Sequence, residues 1–322
     1  MPVDPGSLQP ALASWYAANG RMLAFRRTRD PWSVLVSEVM LQQTQAARVE
    51  PAWDAFVGRF PTPAALSRAS VADAVRAWAG LGYNRRAVNL WRAATEIVQR
   101  HDGRVPSDPE QLRALPGVGG YTARAVAAIA FGAATAAVDT NVRRVVGRIC
   151  WGAAGAPSAA ALQAAADRLV DPLRPDAWTH AVMDVGATIC RPRNPVCGAC
   201  PLQAWCRYAS EATAAEATAA EATGADLATG IGTLPGIGTA TAAASRGRRA
   251  PARQPFARTS RWLRGRIVDR LRLAPGGEWV RFDGPLGDHD QPSVLAALDA
   301  LAADGLLERG PQGAVRLPGG MP

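Results

Sequence analysis

The chain has 322 residues and a mass of 33.8 kDa, enough for two or three folded units. Apolar residues make up 48% and charged residues 20%, a globular balance that excludes a wholly disordered or fibrous chain. Basic residues outnumber acidic ones by 36 to 27, all of them arginine, so the net charge is +9, the pI is near 10.3, and a polyanion is the expected partner.

The N-terminus lacks the basic-then-apolar pattern of a leader, and no apolar stretch is long enough for a bilayer, so a cytoplasmic protein free of the membrane is expected. Residues 8–205 read as amphipathic helices with short breaks and no strand alternation, an all-α body. Asp30 before Pro31 and Asp108 before Pro109 each place an N-cap ahead of a proline at the first helical position. From Asp30 to Arg48 the spacing predicts one helix, with Glu38, Leu41, Gln42 and Gln45 on one face. Glu38 beside Val36, Val39 and Met40 is desolvated enough to keep a proton near neutral pH, as a general acid requires, unless it is one more exposed helical glutamate.

Gln111 to Phe131 reads as helix, Pro-Gly-x-Gly turn, helix, with Ala123, Ala127 and Ala130 small enough for close packing and Gly132 as the stop. Gly117 and Gly119 let the turn present backbone N–H groups at a helix N-terminus, where a phosphate is stabilised. Asp139 stands where the next helix starts; the helix N-terminus should keep it charged, though any helix favours Asp there.

Four of the five cysteines crowd into residues 190–206 with spacing C-x6-C-x2-C-x5-C, which favours an iron–sulfur cluster over zinc because only one pair is close. From Glu211 a five-residue EATAA repeat, without large apolar residues, predicts a disordered linker over 210–258. Within it, Leu234 to Thr241 echoes Leu115 to Thr122 by chance. Ten arginines against the single acid Asp269 fall between Ser245 and Leu273, either a solvated basic face or a polybasic arm tracking phosphates. Two helices and a hairpin over 259–322 suggest a small winged-helix-like module.

The cysteine spacing after MDVGATIC resembles the four-iron four-sulfur loop of the endonuclease III family of DNA glycosylases, and residues 111–131 resemble that family's helix-hairpin-helix, in the same chain order. Within that superfamily, SEVMLQQTQ (37–45) resembles the signature of MutY-like adenine DNA glycosylases. The resemblance covers residues 8–208. It implies a two-lobed fold, with a cluster domain from 1–27 and 136–209 and a six-helix domain over 28–135. Cys190, Cys197, Cys200 and Cys206 would hold a [4Fe-4S] cluster. Glu38 would protonate adenine at N7, Asp139 would stabilise the sugar cation, and Tyr121 and Asn141 would complete the pocket.

The same resemblance assigns DNA contacts to Arg26, Leu41, Gln42, Gln43, Thr44, Tyr83, Gly117 and Gly119, with Leu41 to Thr44 and Tyr83 meeting the base opposite. Arg191 and Arg193, in the loop between the first two cysteines, either approach a phosphate or are two ordinary surface arginines. Relatives that also cut the strand carry Lys where Tyr121 stands here. A chain without lysine cannot form a lysine Schiff base with the opened sugar, so a single-function enzyme is implied. The expected substrate is double-stranded DNA with adenine opposite 8-oxoguanine or guanine, bound by a monomer. A thymine or uracil mismatch glycosylase of the same fold, or a DNA-binding regulator without chemistry, are the alternatives. Two departures stand out: Asn84 replaces a second aromatic after Tyr83, and LAF precedes Arg26 in place of the usual LPW. The tail is also too short for the Nudix-like domain of many relatives.

Overall fold

The computed structural model describes residues 4–215 and 254–319. Residues 216–253, which carry most of the repeat, the echoed segment and four of the arm's arginines, lie outside the described residues. The body is helical: α1 (Pro5–Asn19), α2 (Pro31–Leu41), α3 (Ala46–Arg59), α4 (Pro63–Ser67), α5 (Val71–Ala77), α6 (Arg85–Arg100), α7 (Pro109–Ala114), α8 (Gly120–Phe131), α9 (Thr140–Trp151), α10 (Ala159–Leu169) and α11 (Pro175–Thr188). A further helix, α12, begins at residue 207 and is described to 215. No helix among the described residues is long and apolar enough to cross a membrane.

Caps set the boundaries. Asp30 Oδ2 accepts from Ser33 N at 2.8 Å and Asp108 Oδ1 from Glu110 N and Gln111 N, while Gly132 ends α8 in the left-handed conformation at φ 71°. The Ser70–Asp73 capping box separates α5 from α4, so residues 28–135 hold seven helical segments and not six. The expected helix from Asp30 to Arg48 also breaks. It ends at Leu41, Gln43 is left-handed at φ 57°, and α3 starts at Ala46. Gln45 therefore does not share a helical face with Glu38.

Two apolar cores form. One gathers α1, α9, α10 and α11 around Leu8, Val146, Leu162 and Trp178. The other gathers α2 to α8 around Leu35, Phe56, Trp78 and Ile97. Buried indoles there are satisfied by carbonyls, Trp32 Nε1 on Phe60 O at 2.8 Å and Trp53 Nε1 on Ser33 O at 2.9 Å. The lobes meet where α8 packs on both α2 and α11, and Glu38 and Asp139 come near enough for the charge of Asp139 to act on Glu38.

The linker expectation needs correction at its start. Residues 210–215 continue α12, because Ala and Glu are strong helix formers and Glu211 accepts from Ala153 N at 2.8 Å at the end of α9. The tail comprises α13 (Ser260–Leu273), α14 (Gln291–Ala303) and a hairpin pairing Glu308–Arg309 with Val315–Arg316. Its apolar residues Leu263, Ile267, Leu298 and Val315 belong to the same core as α2 to α8. Arg272 binds Val75 O and Asn84 Oδ1 at 3.0 and 2.8 Å, and Ala72 N donates to Pro318 O at 3.0 Å. This gives Asn84 a role: its side-chain carbonyl accepts a hydrogen bond from the tail's Arg272.

Candidate active site

Helix α2 is apolar on every side and every residue from Trp32 to Met40 is buried, so Glu38 goes inside with its neighbours. It is 5% exposed. Burial drives its carboxyl up to about 7, opposed by the Tyr121 hydroxyl and the Arg26 guanidinium and assisted by the negative charge of Asp139. Glu38 Oε2 is buried and has no hydrogen-bond partner. A carboxyl half-protonated near neutrality, with one free oxygen, can give a proton to whatever enters beside it.

Asp139 is the N-cap of α9. Its Oδ1 accepts from Val142 N at 2.7 Å and its Oδ2 from Asn141 Nδ2 at 3.1 Å. Burial raises its carboxyl above the ordinary range, against those hydrogen bonds and the Arg144 charge. The expectation of a group governed by the helix N-terminus is thus corrected: desolvation is the largest influence, and the cap opposes it. Asn141 Oδ1 accepts from Arg144 Nη2 at 2.8 Å, and Arg144 also holds Gly186 O and Cys190 O, each at 2.6 Å. Asn141 is thereby fixed from both sides. A β-carbon on Gly186 would lie 2.6 Å from Asn141 Cβ, so α11 approaches α9 only because that residue is glycine.

Behind Glu38 lies an ion network that sequence reasoning missed. Asp184, 0% exposed, takes Arg26 Nη1 and Nη2 at 2.8 and 3.0 Å, and Arg21 Nε and N at 2.6 and 2.8 Å. Arg26, its side chain 8% exposed, is therefore committed to Asp184 beside the acid and does not project to the surface. Burial and the two arginines push the neighbouring His180 down to about 3, so it is neutral and adds no charge. An acid among apolar residues in MDVGATIC was the available signal for Asp184.

The wedge is a turn held by Arg86, also missed. Its Nη1 donates to the carbonyls of Val39, Met40 and Gln42 at 2.7–2.8 Å, and its Nη2 to Thr44 Oγ1 at 2.9 Å and Gly82 O at 3.2 Å. The guanidinium also lies 5.6 Å from the Tyr83 ring centre, joining Leu41 to Thr44 with Tyr83, and burial lowers its pKa to about 10. Arg86→Gln would strip donors from these carbonyls. It is expected to cost about 3 kcal/mol, lowering the Tm by roughly 10 °C in a thermal melt; a Tm within 2 °C of wild type would contradict this role.

In the α7–α8 hairpin, Gly117 sits at φ 80° with a would-be β-carbon 2.8 Å from Asn89 Cβ, so no other residue fits. Gly119 caps α8 with no side chain on the helix N-terminus. Gln42 Nε2 bonds Thr122 Oγ1 at 3.2 Å and Gly117 O at 3.4 Å, tying wedge to hairpin.

Cys190, Cys197, Cys200 and Cys206 act on one another: burial, and then the other three sulfurs, raise Cys200 to about 11 against a backbone hydrogen bond at Leu202 that lowers it. Among the described residues no donors converge as a single metal ion needs. Four thiols with no histidine among them are the donor set that a four-iron four-sulfur cluster takes. Arg148 Nη1 lies 3.3 Å from Cys190 Sγ and 2.8 Å from Arg191 O, a cation beside the anion that ligation creates. Arg191 and Arg193 are exposed, with Arg191 Nη2 on Asn194 O at 3.1 Å.

Residues 36–172 match the HhH-GPD superfamily of base excision DNA repair proteins, and residues 190–206 the iron-sulfur binding domain of endonuclease III. A thermostable thymine-DNA glycosylase superposes with TM-score 0.60 at 29% identity, over 64% of this chain and 97% of that one. An endonuclease III in a non-covalent DNA complex shares the fold, with TM-score 0.55 at 23% identity over 66% and 99%. Fold and site define a helix-hairpin-helix DNA glycosylase whose four cysteines hold a [4Fe-4S] cluster. The adenine DNA glycosylase of Mycolicibacterium smegmatis is 39% identical over 316 residues, 97% of each chain, and that of Mycobacterium tuberculosis H37Rv 41% identical over 315 residues, 96% of this chain and 92% of that one. The chain belongs to the adenine DNA glycosylase family.

Proposed function

We propose that this protein is a single-function adenine DNA glycosylase acting, as a cytoplasmic monomer, on adenine paired with 8-oxoguanine or guanine in duplex DNA. The observation that carries this reading is Glu38: a buried acid with a free oxygen, poised near pH 7 and within reach of the Asp139 charge. Breaking the N-glycosidic bond leaves electrons on the base and positive charge on the sugar. Glu38 donates its proton to N7 of the extruded adenine as the bond lengthens. Asp139, its carboxylate held by the cap hydrogen bonds, faces the oxocarbenium-like sugar, and water completes the hydrolysis. Asn141 keeps the Asp139 carboxylate in place, and the Tyr121 hydroxyl orients Glu38.

The wedge turn, with Tyr83, fills the space that the base vacates. The uncapped N-terminus of α8 and Arg191 and Arg193 hold the backbone phosphates. When bound, the cluster cross-links four thiolates and so stiffens the loop carrying those two arginines. With Tyr121 at the hairpin and no lysine in the chain, no lysine amine adds to the opened sugar, and the abasic strand is left uncut by that chemistry.

Duplexes carrying A, T or U opposite 8-oxoguanine or guanine, incubated with the enzyme and then heated in alkali, test this reading. Adenine strands should be cut only after alkali. Preferred loss of thymine or uracil would overturn the substrate, and cutting before alkali would overturn the single function.

A further inference from the structure

Asp184 lies on α11, and nothing in the proposed reaction uses its charge. We infer that Asp184 is a positioning residue for base release: by gripping both ends of the Arg26 guanidinium it holds that cation off Glu38 and leaves Glu38 Oε2 free for the leaving base. The inference rests on the proposed glycosylase reading and names a further residue of the same site.

Three observations support it. First, a buried cation and a buried acid adjoin without pairing. The turn Ala24–Arg26 packs on α2, the Arg26 side chain is buried, and its charge acts on Glu38, yet Glu38 Oε2 has no hydrogen-bond partner. A guanidinium and a carboxylate brought together away from water ordinarily close into a fork. Something must hold these two apart.

Second, Asp184 has the geometry to do so. It is wholly buried, and each of its oxygens takes one Arg26 nitrogen, Oδ2 from Nη1 at 2.8 Å and Oδ1 from Nη2 at 3.0 Å. Arg21 adds its backbone N to Oδ2 at 2.8 Å and its Nε to Oδ1 at 2.6 Å, which fixes the carboxylate. Burial raises the Asp184 carboxyl, but the bonds from the two arginines outweigh it and hold Asp184 below the ordinary carboxylate range, so it stays charged near neutrality.

Third, the other groups facing Arg26 offer it no charge. These are Tyr16 of α1, Tyr121 of α8 and His180 of α11. Burial raises both tyrosines above their ordinary value and lowers the histidine below its own, so all three are neutral near pH 7. Glu38 in turn is faced by Tyr121, by Arg26 and by Asp139 at the start of α9. Without the Asp184 charge, Glu38 is an acid left beside the guanidinium, and it can take that cation only by giving up its proton.

The test uses the full-length, cluster-loaded enzyme and a duplex with adenine opposite 8-oxoguanine, with single-turnover release followed from about pH 5.5 to about 9. Asp184→Asn keeps the shape and removes the charge. Its alkaline limb should move down by about one pH unit, so that release at about pH 7.5 falls roughly tenfold while release at about pH 5.5 stays within a few fold of wild type. Arg26→Gln removes the cation and leaves Asp184 its Arg21 partner, so its limb should move up, and adding Asp184→Asn to it should bring no downward shift. A rate lowered equally at every pH, with the limb unmoved, would make Asp184 a merely structural residue and overturn the inference; so would an unchanged profile. If Asp184→Asn does not fold, Arg26→Gln decides alone, and a limb that fails to rise overturns the inference. Absence of adenine release by the wild type would instead sink the glycosylase reading. Thermal melts still decide the role of Asp184 in that case. The alkaline Tm gain that Glu38→Gln brings, by removing a buried ionised carboxyl, should shrink when Asp184→Asn is also present, and an undiminished gain overturns the inference.

Discussion

Glu38→Gln is expected to slow adenine release by roughly 10³-fold while leaving duplex affinity within a few fold of wild type. Glutamine keeps the shape and removes only the transferable proton. The same substitution should stabilise the protein in alkaline solution. The folded state holds the Glu38 proton up to about pH 7, whereas the unfolded chain gives it up near 4.5, so stability falls as pH rises through that window. The total is about 3 kcal/mol, fully felt above pH 7. Thermal melts at alkaline pH should therefore place the Tm of the variant above that of wild type, and a lower Tm would show that the buried carboxyl is held by contacts other than those described here.

Asp139→Asn should cost about as much in rate, roughly 10³-fold, by a different route. Asparagine is as good an N-cap as aspartate, so α9 and the Tm should be nearly unchanged. What is lost is the negative charge facing the sugar cation. A second consequence separates this from damage to the pocket. The Asp139 charge helps to raise Glu38, so removing it should move the alkaline limb of the residual activity to lower pH. A loss under tenfold, or a limb that stays where it was, would contradict the assigned role.

The helical body, the caps at Asp30, Asp108 and Asp139, the glycine at 117 and the cysteine loop were legible because each rests on residues within a few positions of one another. Glu38 was half legible: Val36, Val39 and Met40 announce an apolar face, but burial of the whole of α2 depends on α3, α6 and α8. What the sequence hid is long-range. Arg86 ends α2 from more than forty positions away, which is why one predicted helix became a helix, a turn and another helix. Asp184 meets Arg26 across the two lobes. The arginine run looked like free charge because its acids, Asp288 and Asp304, come later in the chain, and Asn84 had no account until Arg272 was found on it.

The most direct measurement is the pH dependence of single-turnover adenine release, from about pH 5.5 to about 9, for wild type and Glu38→Gln. Donation by Glu38 predicts a wild-type rate that falls as pH rises through about 7, and a glutamine variant whose small residual rate shows no such limb. A wild-type rate flat across that range, or the same limb persisting in the variant, would mean that the proton reaching the leaving base comes from elsewhere.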